Sequence, residues 1–154
     1  MKTISALGIF FCFLSCFGSL HAEGTNGFRI ASYNLENYII MPRRIDGKLR
    51  SKAGKPESER DAVVRMIGTI RPDILGLEEM GEPGQFSDLQ RRLRKAGLDF
   101  PYSEYLQAAD ASRHVALLSR TPIMEHHSQN SLPLRVNGVT LHSPRGILDV
   151  TVEP

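Results

Sequence analysis

The apolar run RPDILGLEEM (71–80) ends in two carboxylates, Glu78 and Glu79. Ile74, Leu75 and Leu77 favour burial and the two acids do not, so the run reads as a buried strand whose end reaches solvent. A carboxylate placed there can ligate a cation or handle a proton. It can also be simply wet, because polar residues commonly end strands where loops begin. Side chains alternate along a regular strand, so the two acids are expected to point apart. One would face a site, the other would turn away or be solvated, and the pair would not chelate one ion.

A second polar strand end precedes it. In FRIASYNLENY (28–38), Phe28, Ile30 and Ser32 alternate with Arg29, Ala31 and Tyr33, and the strand runs into Asn34. The segment SERDAVVRMIGTI (58–70) between them carries Val63, Ile67 and Ile70 at helical spacing, with Val64 and Met66 beside them. Ser58 and Asp61 have the spacing of a capping box, and Arg71-Pro72 ends the helix. A crossover of this length makes the flanking strands parallel and often adjacent. Asn34 and Glu78–Glu79 are then expected on one rim, at the carboxyl ends where such sheets bind ligands. An amide oxygen and a carboxylate suit a hard cation, Mg²⁺ or another divalent ion.

The remaining elements are read in the same way. MPRRIDGKLRSKAGKPE (41–57) is broken by Pro42, Gly47, Gly54 and Pro56 and reads as a long polar loop. Within it, RRIDGKLRSKAGK (43–55) sets Arg43, Arg44, Lys48, Arg50, Lys52 and Lys55 against one acid, Asp46, so it can draw a polyanion towards the rim or simply be solvated. FSDLQRRLRKAG (86–97) is a second helix, with Phe86, Leu89 and Leu93 as its stripe and Gly97 suited to its C-terminal cap. Its RRLRK run is the exposed, basic end of that helix. HVALLSRTPI (114–123) is a strand stopped at Pro122. LPLRVNGVTLHS (132–143) is a hairpin turning at Asn137-Gly138, and RGILDVTVEP (145–154) is a last strand. His126 and His127 are adjacent and make a poor metal pair. The order predicts an α/β sheet covered on one face by two helices.

ASYNLENY, RPDILGLEEM and HVALLSRTPI, in that order, resemble the first three signatures of the endonuclease/exonuclease/phosphatase superfamily, the DNase I-like and exonuclease III-like group. The resemblance runs from about residue 28 to 123, and RGILDVTV is similar to the family's following strand. It implies the fold of a DNase I-like α/β sandwich. It implies that Glu79 is the metal ligand, with Glu78 where the family usually has glutamine, and that Asn34 stands beside the metal and the scissile phosphate. His114 stands where many members have glycine; beside Arg113 it is a candidate for contacting phosphate. Arg43, Arg44 and Arg113 are the candidate substrate-binding cations.

The implied activity is Mg²⁺-dependent phosphodiester hydrolysis, with nucleic acid as the leading substrate. A phosphoesterase acting on phospholipid or inositol phosphate headgroups is a further alternative, and so is a non-catalytic binding module. Segments resembling the family's Asp-x-Asn pair and terminal Asp-His do not occur in the sequence. The expectation is therefore an N-terminal portion of such a domain (23–154), catalytically silent alone. Its second sheet would be missing, leaving an apolar sheet face that invites self-association.

Ahead of this domain, residues 1–22 have Lys2, an apolar stretch from Ile4 to about Leu20, and a small residue at Ala22. That is the layout of a secretory signal peptide cleaved after Ala22, which predicts an exported protein, secreted or periplasmic, with no stable membrane span. A retained anchor and a lipoprotein signal at Cys16 are the alternatives. Both cysteines, Cys12 and Cys16, would leave with the signal, which excludes a disulfide scaffold and cysteine metal sites. The formal net charge of +2 over 154 residues excludes a global electrostatic argument, so any attraction for polyanions must be local.

Overall fold

The computed structural model describes residues 27–153; the signal-like segment lies outside the described residues. In chain order the elements are β1 (Ile30–Tyr38), β2 (Met41–Ile45), β3 (Lys48–Ala53), α1 (Glu57–Ile70), β4 (Ile74–Met80), α2 (Pro83–Lys95), β5 (Tyr102–Leu106), β6 (His114–Ser119), β7 (Ile123–His126), β8 (Pro133–Val136), β9 (Val139–His142) and β10 (Val150–Val152). The central sheet has the order β1-β4-β6-β5. β1 and β4 are parallel neighbours, as the crossover through α1 predicts, and β6 is antiparallel to both β4 and β5.

Alternation decides which side of this sheet is dry. Leu75 and Leu77 on β4 and Ala116 and Leu118 on β6 bury against Val63 and Ile67 of α1 and Phe86, Leu89 and Leu93 of α2. Each of the larger side chains contributes on the order of 1.5–3 kcal/mol by leaving water. The opposite side carries Ser32, Gly76, Glu78, Val115 and Leu117, which line a cleft of about 300 Å³ together with Gly146 and Leu148. The segment before β10 therefore partly covers the face expected to be bare.

Ionic contacts tie the two helices together and to the end of β1. The Tyr38 hydroxyl donates to Asp88 Oδ2 at 2.9 Å, and Arg60 and Arg92 reach the same oxygen at 3.2 and 2.8 Å. Arg92 also holds Glu57 at 2.5 Å. Burial pushes the Asp88 carboxyl up, but hydrogen bonds from Arg92 and Tyr38, with the charges of Arg92 and Arg60, outweigh it and hold the group below its ordinary range. Burial, reinforced by Asp88, pushes the Tyr38 hydroxyl up.

Several local expectations change. The capping box does not form: α1 begins at Glu57 after Pro56, so Ser58 is already inside the first turn, and no side chain caps the helix. Asp61 approaches Arg92 at 3.4 Å instead. The expected loop at 41–57 is mostly a hairpin, β2–β3, turning at Asp46 (φ 49°) and Gly47 (φ 74°). Two consecutive left-handed residues make the turn that hairpin twist prefers, and Asp-Gly is a favoured sequence for it. β8–β9 turns at Asn137-Gly138 as expected. β5 was not anticipated, and the last strand shortens to β10, paired with β7. Among the described residues no helix is long and apolar enough to cross a membrane.

Candidate metal and phosphate site

β4 does not end as a regular strand. Leu77 faces Ala116 on β6 and Met80 faces His114, so three steps along β4 match two along β6. The strand has one residue too many, a β-bulge, and Glu79 lies within it at φ 57°. Residues three apart in a regular strand point to opposite faces, yet Leu77 and Met80 both enter the same core. The bulge resets the alternation, and Glu78 and Glu79, lying between them, both stay out of that core. Strict alternation is broken here, and the two acids have different surroundings: Glu79 is half-buried and Glu78 is exposed, the solvated alternative.

β1 is irregular at the same level. Asn34 faces Glu78 and Tyr38 faces Met80, so four steps along β1 match two along β4. Glu36 (φ 50°) and Asn37 (φ 62°) absorb the excess. Three left-handed non-glycine residues therefore gather at one rim. Each such residue costs on the order of 1–2 kcal/mol, and such conformations concentrate at functional sites.

The rim is rich in hydrogen bonds. The Asn37 N–H donates to Glu79 Oε2 at 2.9 Å, and Arg145 Nη1 lies 3.8 Å from Glu79 Oε1. Arg113 Nε donates to Asn37 Oδ1 at 2.8 Å, and Arg43 Nη2 to the Asn37 carbonyl at 2.6 Å. Buried Lys55 donates to the Glu36 carbonyl at 3.0 Å and pairs with Glu59 at 2.9 Å. Arg145 also approaches Asp110 at 3.5 Å. The Ser112 N–H, then that of Arg113 and the Arg145 side chain, holds the Asp110 carboxyl below the usual range.

The sequence-predicted residues divide. Asn34 faces Glu78 at the open rim, and its Oδ1 accepts the Glu36 N–H at 2.9 Å. Glu78 is exposed and accepts from the Ser32 hydroxyl at 3.3 Å. Glu79, Arg43 and Arg113 meet through Asn37. Arg44 does not join them: it points to the other face of the hairpin and donates to the Gly47 carbonyl at 2.9 Å. His114 is on the core side with Ala116 and Leu118, its side chain 0% exposed and its ring 5.4 Å from that of Tyr105, tilted by 57°. A phosphate at the rim cannot reach it in this arrangement. Alternation along HVALLS carried the signal for that placement. Asn37, Asp110 and Arg145 were missed. Asp110-Ala-Ser has the local pattern of an aspartate that folds its own backbone, which was the available clue.

Among the described residues no three His, Cys, Asp or Glu side chains gather so as to hold a metal ion. The donors at hand are oxygen only: the Glu79 carboxylate, the exposed Glu78 carboxylate and the Asn34 amide. That set suits a hard cation which keeps most of its water and takes further oxygens from a phosphate, as Mg²⁺ commonly does. The surrounding arginines suit the phosphate itself. Compared with models of protein families and with curated proteins, the chain matches none.

Proposed function

We propose that this rim is the metal- and phosphate-holding part of a Mg²⁺-dependent phosphodiesterase, with a nucleic acid as the leading substrate, built on a DNase I-like sandwich. The observation that carries the reading is the paired irregularity of β1 and β4. Asn34 and Glu78 are register partners there, Glu79 sits within the bulge, and three left-handed residues gather at the same strand ends, a concentration typical of functional sites. The adjoining Arg113, Arg43 and Arg145 supply the positive charge that a phosphodiester needs.

In this reading Glu79 and Asn34 hold the cation, which polarises the phosphoryl oxygen when bound. Arg113, fixed through Asn37, orients the phosphate. Exposed Glu78, the register partner of Asn34, would hold water by hydrogen bonds beside such an ion. Activation of the attacking water and protonation of the leaving oxygen are not assigned to any residue from 27 to 153. The test is binding of Mn²⁺, a spectroscopic substitute for Mg²⁺, followed by electron paramagnetic resonance. A single weak site is expected, lost in Glu79→Gln and weakened in Asn34→Ala. Undiminished Mn²⁺ uptake by Glu79→Gln would overturn the reading.

A further inference from the structure

We propose that one face of the β2–β3 hairpin is an arm that tracks the sugar-phosphate backbone of a polynucleotide and leads it to the Glu79 rim. This rests on the reading of that rim as the phosphodiester site. Register sorts the hairpin's cations. Arg43 faces Arg50 and Ile45 faces Lys48, so Arg43, Lys48 and Arg50 share one face, while Arg44 and Leu49 share the other. Lys52 lies in the irregular stretch where the register shifts between Met41 and Arg43. Like charges placed directly opposite each other across two strands are destabilising. Among the described residues none of Arg43, Lys48, Arg50 and Lys52 pairs with a carboxylate. Arg43 Nε is buried without a hydrogen-bond partner. Lys48 and Arg50 are exposed, and they are the cations of this face that an anion can reach.

The arm is joined to the site. Arg43 donates to the carbonyl of Asn37, whose side chain accepts from Arg113 and whose N–H donates to Glu79. Cations thus run from the hairpin face to the rim, which fits an extended chain of phosphates better than a single small headgroup. A lipid surface fits poorly. The hairpin tip is Asp46-Gly47, an acid where an anionic membrane would be met first, and the exposed Leu49 lies on the opposite face from Lys48 and Arg50, so the apolar and cationic groups do not act together.

The experiment uses the whole chain and a short labelled oligonucleotide in EDTA, with anisotropy followed over a salt series. Lys48→Gln/Arg50→Gln is expected to weaken binding at least about tenfold, and to flatten the salt slope by about 0.7–0.9 per cation removed. Arg65→Gln/Arg135→Gln removes the same charge elsewhere and should change binding less than about twofold, with the slope kept. Both arm side chains are exposed, and a melt matching the unsubstituted chain is expected. The proposal is overturned if the arm variant keeps the original slope, if the control variant loses as much, or if phosphatidylserine vesicles or inositol hexakisphosphate bind more tightly than the oligonucleotide. Glu79→Gln should lose Mn²⁺ and keep oligonucleotide binding, whereas the arm variant should do the reverse, so the arm and the metal site fail separately.

Discussion

The backbone N–H of Asn37 donates to the Glu79 carboxylate at 2.9 Å, and both residues are left-handed. The contact joins the irregular ends of two parallel strands. It fixes one oxygen of Glu79 and leaves the other towards Arg145. Glu78, by contrast, has only a longer contact with Ser32. Glu79→Gln should therefore abolish divalent-ion binding, while Glu78→Gln weakens it severalfold. Equal losses in a Mn²⁺ titration would mean that the bulge gives the two acids one shared role.

Left-handed Glu36 offers a test of stored strain. Its side chain is exposed, and the contacts at this position are made by its backbone. Glu36→Gly should raise stability by about 0.5–1 kcal/mol, because glycine accepts this conformation without a Cβ clash. Glu36→Ala should show no such gain. Thermal melting distinguishes them.

Asp88 sets an acid limit on the fold. Its carboxyl is depressed in the folded state, so its contribution is fully present above the unfolded value of about 3.9 and is lost as pH falls through the lower folded value. Asp88→Ala should cost about 2–3 kcal/mol, since it strands the Tyr38 hydroxyl and removes a carboxylate shared by Arg60, Arg91 and Arg92. Urea unfolding at neutral and acid pH should show Asp88→Asn converging on the unsubstituted chain as pH drops.

An alkaline limit comes from Tyr105. Burial, then the charge of Glu82, pushes its hydroxyl up to about 12, and it donates to the Gly81 carbonyl at 2.9 Å. A raised folded value means that this stability is present below the ordinary tyrosine value of about 10 and is lost as pH rises through the folded one. Ultraviolet titration should show late tyrosinate formation coinciding with unfolding. Tyr105→Phe should remove that share of the alkaline transition.

Gly146 holds the segment that carries Arg145 to the rim. It is left-handed at φ 70°, and a Cβ there would strike the Gln129 carbonyl and lie 2.9 Å from Leu106 Cδ2. Gly146→Ala should cost about 2 kcal/mol or more, from conformation and overlap together. Gly84→Ala, in open space within α2, should not. Comparative melts decide it.

Periodicity exposed the elements whose signals are local. The helical stripes, the parallel β1–β4 pair and the Asn137-Gly138 turn follow from residues near one another in the chain. Asp46-Gly47 carried the same kind of turn signal but sat among cations and prolines that suggested a loop. β5 was hidden because YSEYL is half polar and lies at the sheet edge. The bulge at Glu79 was not legible at all. Whether a strand holds an extra residue depends on what faces it, and Leu77–Met80 is opposed by residues 114–116, more than thirty positions away. Regular alternation, the premise used for Glu78 and Glu79, breaks at that point, whereas it holds along HVALLS and puts His114 on the core side.

Because β4 has one residue more than β6 opposes between Leu77 and Met80, the β4–β6 pair could close with that residue deleted, while the excess in β1 would grow by one. Leu77 and Met80 would then stand two apart, on the same face, where regular pleating already puts them. A chain lacking Glu79 should keep its core and lose its rim chemistry. If the proposed function holds, fold and site would be separable by a single codon, and length, not only side-chain identity, would be a variable on which this rim depends.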